Sequence, residues 1–440
     1  MTDDKIVHVF SVGADGKLAE QNQRVMPKRP CAIQILPDNA TIICGDKFGD
    51  VYELPLMSTG PAAASNPEAR AENVSQNVPA PGEDQTVFKP AATNLTVHTK
   101  RNRKALEAQM KQKEFTAKKE PLKFEHKVLL GHVSMLTDVV YAIREVGTKH
   151  RGYIVTADRD EHIRISRGPP QAHVTEGYCL GHKEYINKLC LIPGTDLLVS
   201  GGGDDELYVW DWPNFKLQRK HSLQAVVTAA IREAPKLMGP TAEEAAQKIA
   251  EKVSGTELNP TTGEVRSASV NVSGLWTAPF TTTKSKKETA LIVACERVPA
   301  LFIVPVSRLQ LKQKIEITEW PLEHPPLDVT VAGDNVLVSL DCRTGEGYPL
   351  VQAYRLGQEA DAGEGDVNMK QNSEMLEKLK CLVDMDAEGK THDKALDELL
   401  YGVANLRKRR GFDALKVAPG DEDAEDASLG VGQVAAEAEE

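Results

Sequence analysis

Asp158, Asp160 and Glu161 place three carboxylates within four residues, a density that general acid–base catalysis or a hard-cation site would use. The same stretch, TADRDEHIRIS (156–166), interleaves Arg159, His162 and Arg164 with those acids, so the cluster carries both signs of charge. Two readings stay open from the residues alone: a charge cluster that satisfies itself on a surface, or a docking surface whose mixed charge fixes partner and register. Other candidates are thinner. Gly201-Gly202-Gly203 lacks the Lys-Ser/Thr that completes a phosphate loop, and no His pair has HxH or HxxxH spacing. Residues 100–123 hold nine Lys/Arg against three Glu with almost no aromatics, which suits phosphate contact, nuclear targeting or a solvated loop equally. Arg407-Lys408-Arg409-Arg410 closes an amphipathic stretch, where positive charge complements a helix dipole.

The elements that would carry these residues are strands. Outside three segments, the chain consists of short Val/Ile/Leu/Thr runs bounded by turn residues. A unit of outer strand, Gly-His, strand, turn, strand, Asp-containing turn and strand recurs about five times. Its clearest copy is 175–212, opened by Gly181-His182 and closed by Trp210-Asp211; the one before it, 123–167, has Gly131-His132. Weaker copies occupy 18–56, 216–306 and 309–356, and KIVHVFSV adds one strand. Gly-His and Trp-Asp at this spacing specify an all-β WD40 β-propeller. In the clearest blade His182, Ser200, Asp204 or Asp205, and Trp210 are expected to form a buried hydrogen-bonded set, a structural role.

The propeller is expected over 1–356, interrupted by a low-complexity and basic insert at 57–123 and a second insert at 235–264 that holds a short helical pattern. A helical extension follows at 357–417, with helices at 372–385 and 392–410; in the second, Leu396, Leu399, Leu400, Val403 and Leu406 form one apolar stripe. Residues 418–440 carry eight acids and no base and read as a disordered tail, so the net charge of −11 says little about the body, which is near neutral. No apolar run approaches the roughly 18 residues of a membrane span, and the N-terminus has no leader pattern. The seven cysteines are scattered and never CxxC, which points to a reducing compartment.

KFGDVYELP (47–55), LLGHVSMLTDV (129–139), TADRDEHIRIS (156–166), LGHKEYINKL (180–189) and SGGGDDELYVWDW (200–212) together resemble the non-catalytic WD-repeat subunit of the eukaryotic tRNA (guanine-N7-)-methyltransferase. The resemblance is in register over about 4–213 apart from the insert, looser over 265–356, and returns at LRKRRG (406–411). It implies a seven-bladed scaffold with no active site or cofactor of its own, paired as a heterodimer with a catalytic subunit. That subunit would bind S-adenosylmethionine and methylate a variable-loop guanine of tRNA. tRNA would be met mainly through the partner, with no membrane contact, and the complex would work in the nucleus. The implied partner contacts fall on Asp160, Glu161 and Arg164, with Arg159 as a neighbour. Arg164 would pair with a carboxylate of the catalytic subunit, and Asp160 and Glu161 with its basic residues. With five repeats and one strand visible, about one and two-thirds blades are expected to be missing at the start. The rival readings are a WD40 adaptor of a ubiquitin-ligase or chromatin complex, and an enzyme with a site on the propeller face.

Overall fold

A computed structural model of the chain describes residues 5–13, 18–57, 125–237, 257–258, 265–283, 285–343, 350–358, 367–377 and 393–408. The expectations for the basic insert, for most of the second insert and for the acidic tail therefore lie outside the described residues. A hairpin, β1 (Ile6–Val12) and β2 (Leu18–Val25), precedes five four-stranded antiparallel sheets. Blade one is β3 (Pro30–Ile35), β4 (Thr41–Asp46), β5 (Asp50–Pro55) and β6 (Lys127–Gly131). Blade two is β7 (Leu136–Val146), β8 (Lys149–Asp158), β9 (His162–Arg167) and β10 (Thr175–Leu180). Blade three is β11 (Ile186–Leu191), β12 (Leu197–Gly202), β13 (Glu206–Asp211) and β14 (Lys216–Ser222). After a small hairpin, β15 (Glu257–Leu258) and β16 (Val265–Ser267), blade four is β17 (Val272–Thr281), β18 (Lys287–Cys295), β19 (Ala300–Pro305) and β20 (Thr318–Pro321). Blade five is β21 (Pro326–Ala332), β22 (Asn335–Leu340), β23 (Val351–Gly357) and β24 (Asn368–Gln371), joined to blade four by one parallel bridge between Thr281 and Gly357.

The sequence builds this stack because successive side chains of a strand point to opposite faces. In β8, Tyr153, Val155 and Ala157 enter the cluster shared with blade three, while Ile154 enters the one shared with blade one. In β12, Leu198 faces blade two and Leu197 and Val199 face blade four; in β18, Leu291, Val293 and Cys295 face blade three while Ala290, Ile292 and Ala294 face blade five. β8, β12 and β18 are therefore buried on both faces over most of their length, which is why they hold unbroken apolar runs. Each fully buried Val, Leu or Ile contributes about 1.5–3 kcal/mol, so the sheets hold one another in place. The hairpin β1–β2 covers the outer face of blade one, with Val7 and Met26 against Ile42, Cys44 and Leu54. The six described cysteines are free thiols and all but the half-buried Cys31 are buried.

Two boundaries differ from the sequence reading. The fifth blade extends past 356, because Asn368–Gln371 pairs with β23 and places Met369 in the core; a four-residue strand is too short to show a period. Residues 216–306 are not all β-type: Lys216–Ser222 completes blade three, and Gln224–Leu237 is a helix, α1. Val227, Ala230 and Ile231 of α1 pack at helical spacing into the core between blades three and four. The expected helix at 372–385 does begin, with the Asn372 side chain receiving the Met375 amide at 3.3 Å, and is described only through residue 377.

Blade three carries the expected polar set. The Trp210 indole donates to Ser200 Oγ at 2.8 Å, the Ser200 hydroxyl is thereby free to donate to His182 Nε2 at 2.7 Å, and His182 Nδ1 donates to Asp204 Oδ2 at 2.7 Å. Asp205 is not part of it: its carboxylate receives the Val270 amide at 3.0 Å and ties the approach to blade four. The Gly201–Gly203 run is structural, since a Cβ on Gly202 would lie 2.0 Å from the Tyr185 carbonyl oxygen.

Burial pushes the His182 imidazole below its ordinary value of 6.5, against the opposing pull of Asp204, so the folded chain refuses a proton that the unfolded chain accepts. Burial is the largest single influence on the Asp204 carboxyl and raises it, but the bond and charge of His182 together with the amides of Glu184 and Lys183 outweigh burial and hold it below the usual carboxylate range. Both effects remove stability on acidification, the first below pH 6.5 and the second below about 4. The melting temperature is expected to fall between pH 6.5 and 5, and to fall less steeply in His182→Gln, which starts about 1–3 kcal/mol less stable. Equal slopes in the two proteins would contradict this account.

Candidate docking site

The β8–β9 hairpin is organised by Asp158, a buried carboxylate whose Oδ1 receives the amides of Asp160 at 2.9 Å and His162 at 3.0 Å. Blade one uses the same device, with Asp46 receiving Phe48 at 2.9 Å and Asp50 at 3.0 Å. Three residues after each Asp the backbone must turn left-handed. Blade one has Gly49 there at φ 102°, whereas blade two has Glu161 at φ 70°. A side chain with a Cβ pays a conformational penalty at such a position, so glutamate here is a residue kept against local backbone preference.

Along β9, Ile163 and Ile165 are buried in the core and Arg164 takes the opposite face, as strand alternation requires. Thr156 pairs with Arg164 in the register where Ser200 pairs with Tyr208, so Ser166 stands where blade three has Trp210. Without the indole, the polar set does not close: His132 Nδ1 lies 3.8 Å from Asp158 Oδ2, and the buried His132 Nε2 has no hydrogen-bond partner among the described residues. Arg164 is held instead, its Nε donating to Ser166 Oγ and Thr175 Oγ1 at 3.1 Å each and its Nη1 to the Gly131 carbonyl at 3.0 Å. Among the described residues Nη2 makes no hydrogen bond. A depression of about 410 Å³ opens beside it, lined by His132, Asp160, His162, Arg164 and the exposed Val133, Tyr178 and Leu180.

The three charges at the hairpin tip meet a segment that the sequence reading did not bring there. Residues 392–410 are not one helix: α2 spans Asp393–Leu400, and a 3-10 turn covers Val403–Leu406. The break has a cause. The Glu296 carboxylate receives the amides of Val403 at 2.8 Å and Ala404 at 2.9 Å, which starts a new helical N-terminus there. Burial pushes the Glu296 carboxyl up, and these two bonds only partly offset it. From blade five to blade two, residues 393–408 cross the hairpin turns as a strap. Asp397 pairs with Arg297 at 2.7 Å and Arg343 at 3.1 Å, and the Tyr401 hydroxyl donates to Asp341 at 2.6 Å. Arg407 donates to the Gly203 carbonyl at 2.8 Å and pairs with Glu184 at 3.4 Å. Arg159 Nε donates to the Leu406 carbonyl at 2.8 Å, and Lys408 pairs with Asp160 at 3.0 Å and Glu161 at 2.8 Å. The basic cluster thus reaches across to other blades instead of sitting at the end of its own helix. Its one legible sign was the density of charge in LRKRR; Arg409 and Arg410 lie outside the described residues.

Lys408 lowers the Asp160 carboxyl below the usual range, and Glu161 followed by Asp160 raises the Lys408 ammonium. Each shift favours the charged form, so Asp160 and Lys408 face one another as an ion pair. Among the described residues no group of three His, Cys, Asp or Glu side chains could hold a metal ion.

Five four-stranded antiparallel sheets and a buried His-Ser-Asp-Trp set define the class as a WD40 propeller fold, with a hairpin of mixed charge on its rim. Residues 1–353 match the family described as "tRNA methyltransferase TRM82 WD40 domain", and the chain belongs to that family. It is 38% identical over 427 residues to the tRNA (guanine-N(7)-)-methyltransferase non-catalytic subunit TRM82 of Phaeosphaeria nodorum, covering 93% of this chain and 80% of that protein. The protein of the same name from Coccidioides immitis is 34% identical over 429 residues, covering 93% of this chain and 75% of its own length. In a shorter match, the Sclerotinia sclerotiorum protein is 52% identical over 213 residues, 48% of this chain and 39% of that protein.

The left-handed backbone at Glu161 gives a direct test of whether this side chain is kept against stability. In a Lys408→Ala background, where the ion pair is already gone, Glu161→Gly is expected to raise the unfolding free energy by about 1 kcal/mol in a denaturant titration. A loss of stability would show that the turn favours glutamate for its own sake.

Proposed function

We propose that this chain is the non-catalytic scaffold subunit of a tRNA (guanine-N7-)-methyltransferase, binding and stabilising a separate S-adenosylmethionine-dependent catalytic subunit through the β8–β9 hairpin. The carrying observation is Arg164. Three hydrogen bonds fix its guanidinium beside an open depression while Nη2 stays available, so a carboxylate of the partner would meet a donor already in place. Asp160 and Glu161 would pair with basic side chains of the catalytic subunit, and Arg159 borders that contact. Family membership and the relatives' shared description support this reading over an adaptor of a ubiquitin-ligase or chromatin complex.

The mechanism is indirect. A scaffold contributes no reacting group; it raises activity by binding the active conformation of its partner more tightly than the inactive one. S-adenosylmethionine would sit in the catalytic subunit, tRNA would be met mainly through that subunit, and the heterodimer would work in the nucleus.

Methylation of tRNA is expected from the catalytic subunit with the wild-type chain and to be strongly reduced with Arg164→Glu, which should also fail to co-purify. Stranding the opposed carboxylate costs about 2–5 kcal/mol, a loss in affinity of about 30-fold or more. Arg164→Lys keeps the charge without the fork and should fall between the two. A folded Arg164→Glu protein, by its melting curve, that binds and activates like wild type would overturn the docking assignment.

A further inference from the structure

The strap is anchored unequally along its length. Over blades four and five its contacts centre on buried groups: Tyr401 is 9% exposed and Glu296 7%, and the Arg297 side chain 17%, with Asp397 half-buried at their edge. The Arg297 guanidinium lies 4.0 Å from the centre of the Tyr401 ring and also pairs with Asp397, so cation, ring and carboxylate brace one another. Over blade two a single part-buried hydrogen bond, from Arg159 to the Leu406 carbonyl, is joined by ion pairs at the surface, with Lys408, Asp160 and Glu161 side chains 48%, 46% and 32% exposed. Exposed ion pairs are weak and are screened by salt, so the strap has a firm end and a loose end. The loose end is the one that lies on the hairpin.

We propose that residues 406–408 are an intramolecular stand-in for the catalytic subunit, occupying Asp160 and Glu161 in the free chain and giving them up when the heterodimer forms. The inference rests on the hairpin being the docking site. Two neighbouring carboxylates left bare repel one another, and the Lys408 ammonium between them relieves that repulsion. When a basic side chain of the partner takes its place, one cation replaces another and the charge of the pair is conserved. Arg159 is coupled to the same exchange, because its donation to the Leu406 carbonyl holds the strap end in position and is released with it. The firm anchors keep the displaced end close by, so it competes at high effective concentration and lowers the apparent affinity for the partner.

The test is the dissociation constant of the full chain for the purified catalytic subunit, measured by titration calorimetry for wild type, Lys408→Ala and Lys149→Ala, together with amide exchange of the strap. Lys408→Ala is expected to bind about two- to fivefold more tightly, with the difference shrinking at high salt. Lys149→Ala removes an exposed lysine at the other end of β8 and controls for the change in net charge; it should bind like wild type. In the complex the Arg407 amide, which donates to the Ala404 carbonyl at 3.2 Å in the free chain, should exchange faster, while the Val403 and Ala404 amides stay slow. Weaker binding by Lys408→Ala would make the strap part of the interface and overturn the proposal while leaving the hairpin as docking site. Unchanged affinity with unchanged exchange would overturn it as well. If neither wild type nor Lys408→Ala bound the catalytic subunit, the docking reading itself would fall.

Discussion

Blades two, three and four depend on burying both faces of β8, β12 and β18, and none of them can do so without its neighbours. Ile154 of β8 packs towards blade one and Val155 towards blade three, so a shift of one residue in that strand would exchange two cores at once. The register of each blade is therefore fixed by those beside it, and the hairpin tips at the rim inherit positions set by the stack. The proposed docking of a partner at the charged hairpin would gain from standing on such a base.

Blade two departs from its neighbour in a single connected way. Ser166 replaces the tryptophan, the polar set around His132 stays open, and Arg164 spends two of its nitrogens on holding itself in the space beside it. Glu161 accepts a left-handed backbone that glycine meets in blade one. Each of these gives up something that blades one or three keep, and all of them lie in blade two, on the β8–β9 hairpin or at the Gly-His turn beside it. Relaxed local rules concentrated in one blade support the proposal that this blade carries the binding site.

Much of this was legible in the residues because repetition exposes it. Gly-His and Trp-Asp at blade spacing gave the propeller, and TADRDEHIRIS stood out because an ordinary blade needs one Asp there. The set at His182, Ser200 and Trp210 followed from the same pattern, while the choice between Asp204 and Asp205 needed coordinates, since adjacent carboxylates on a turn differ only in where the backbone aims them. The strap was not legible. Its contacts join residues such as Lys408 and Glu161 that lie far apart in the chain, and its break after Leu400 is caused by Glu296, a residue of another blade. Local periodicity, which suggested one helix over 392–410, carries no information about a cap supplied from so far away. Helix α1 was missed because Val227, Ala230 and Ile231 sit inside a stretch whose apolar content also suits a strand.

The claim on which the account turns is that Arg164, fixed by its own blade, is the donor that receives the catalytic subunit. The most direct measurement is the structure of the heterodimer at side-chain resolution. The account predicts a carboxylate of the catalytic subunit about 3 Å from the Arg164 guanidinium, with Asp160 and Glu161 facing its basic side chains. A catalytic subunit seated on another face, with Arg164 still open to solvent, would contradict it.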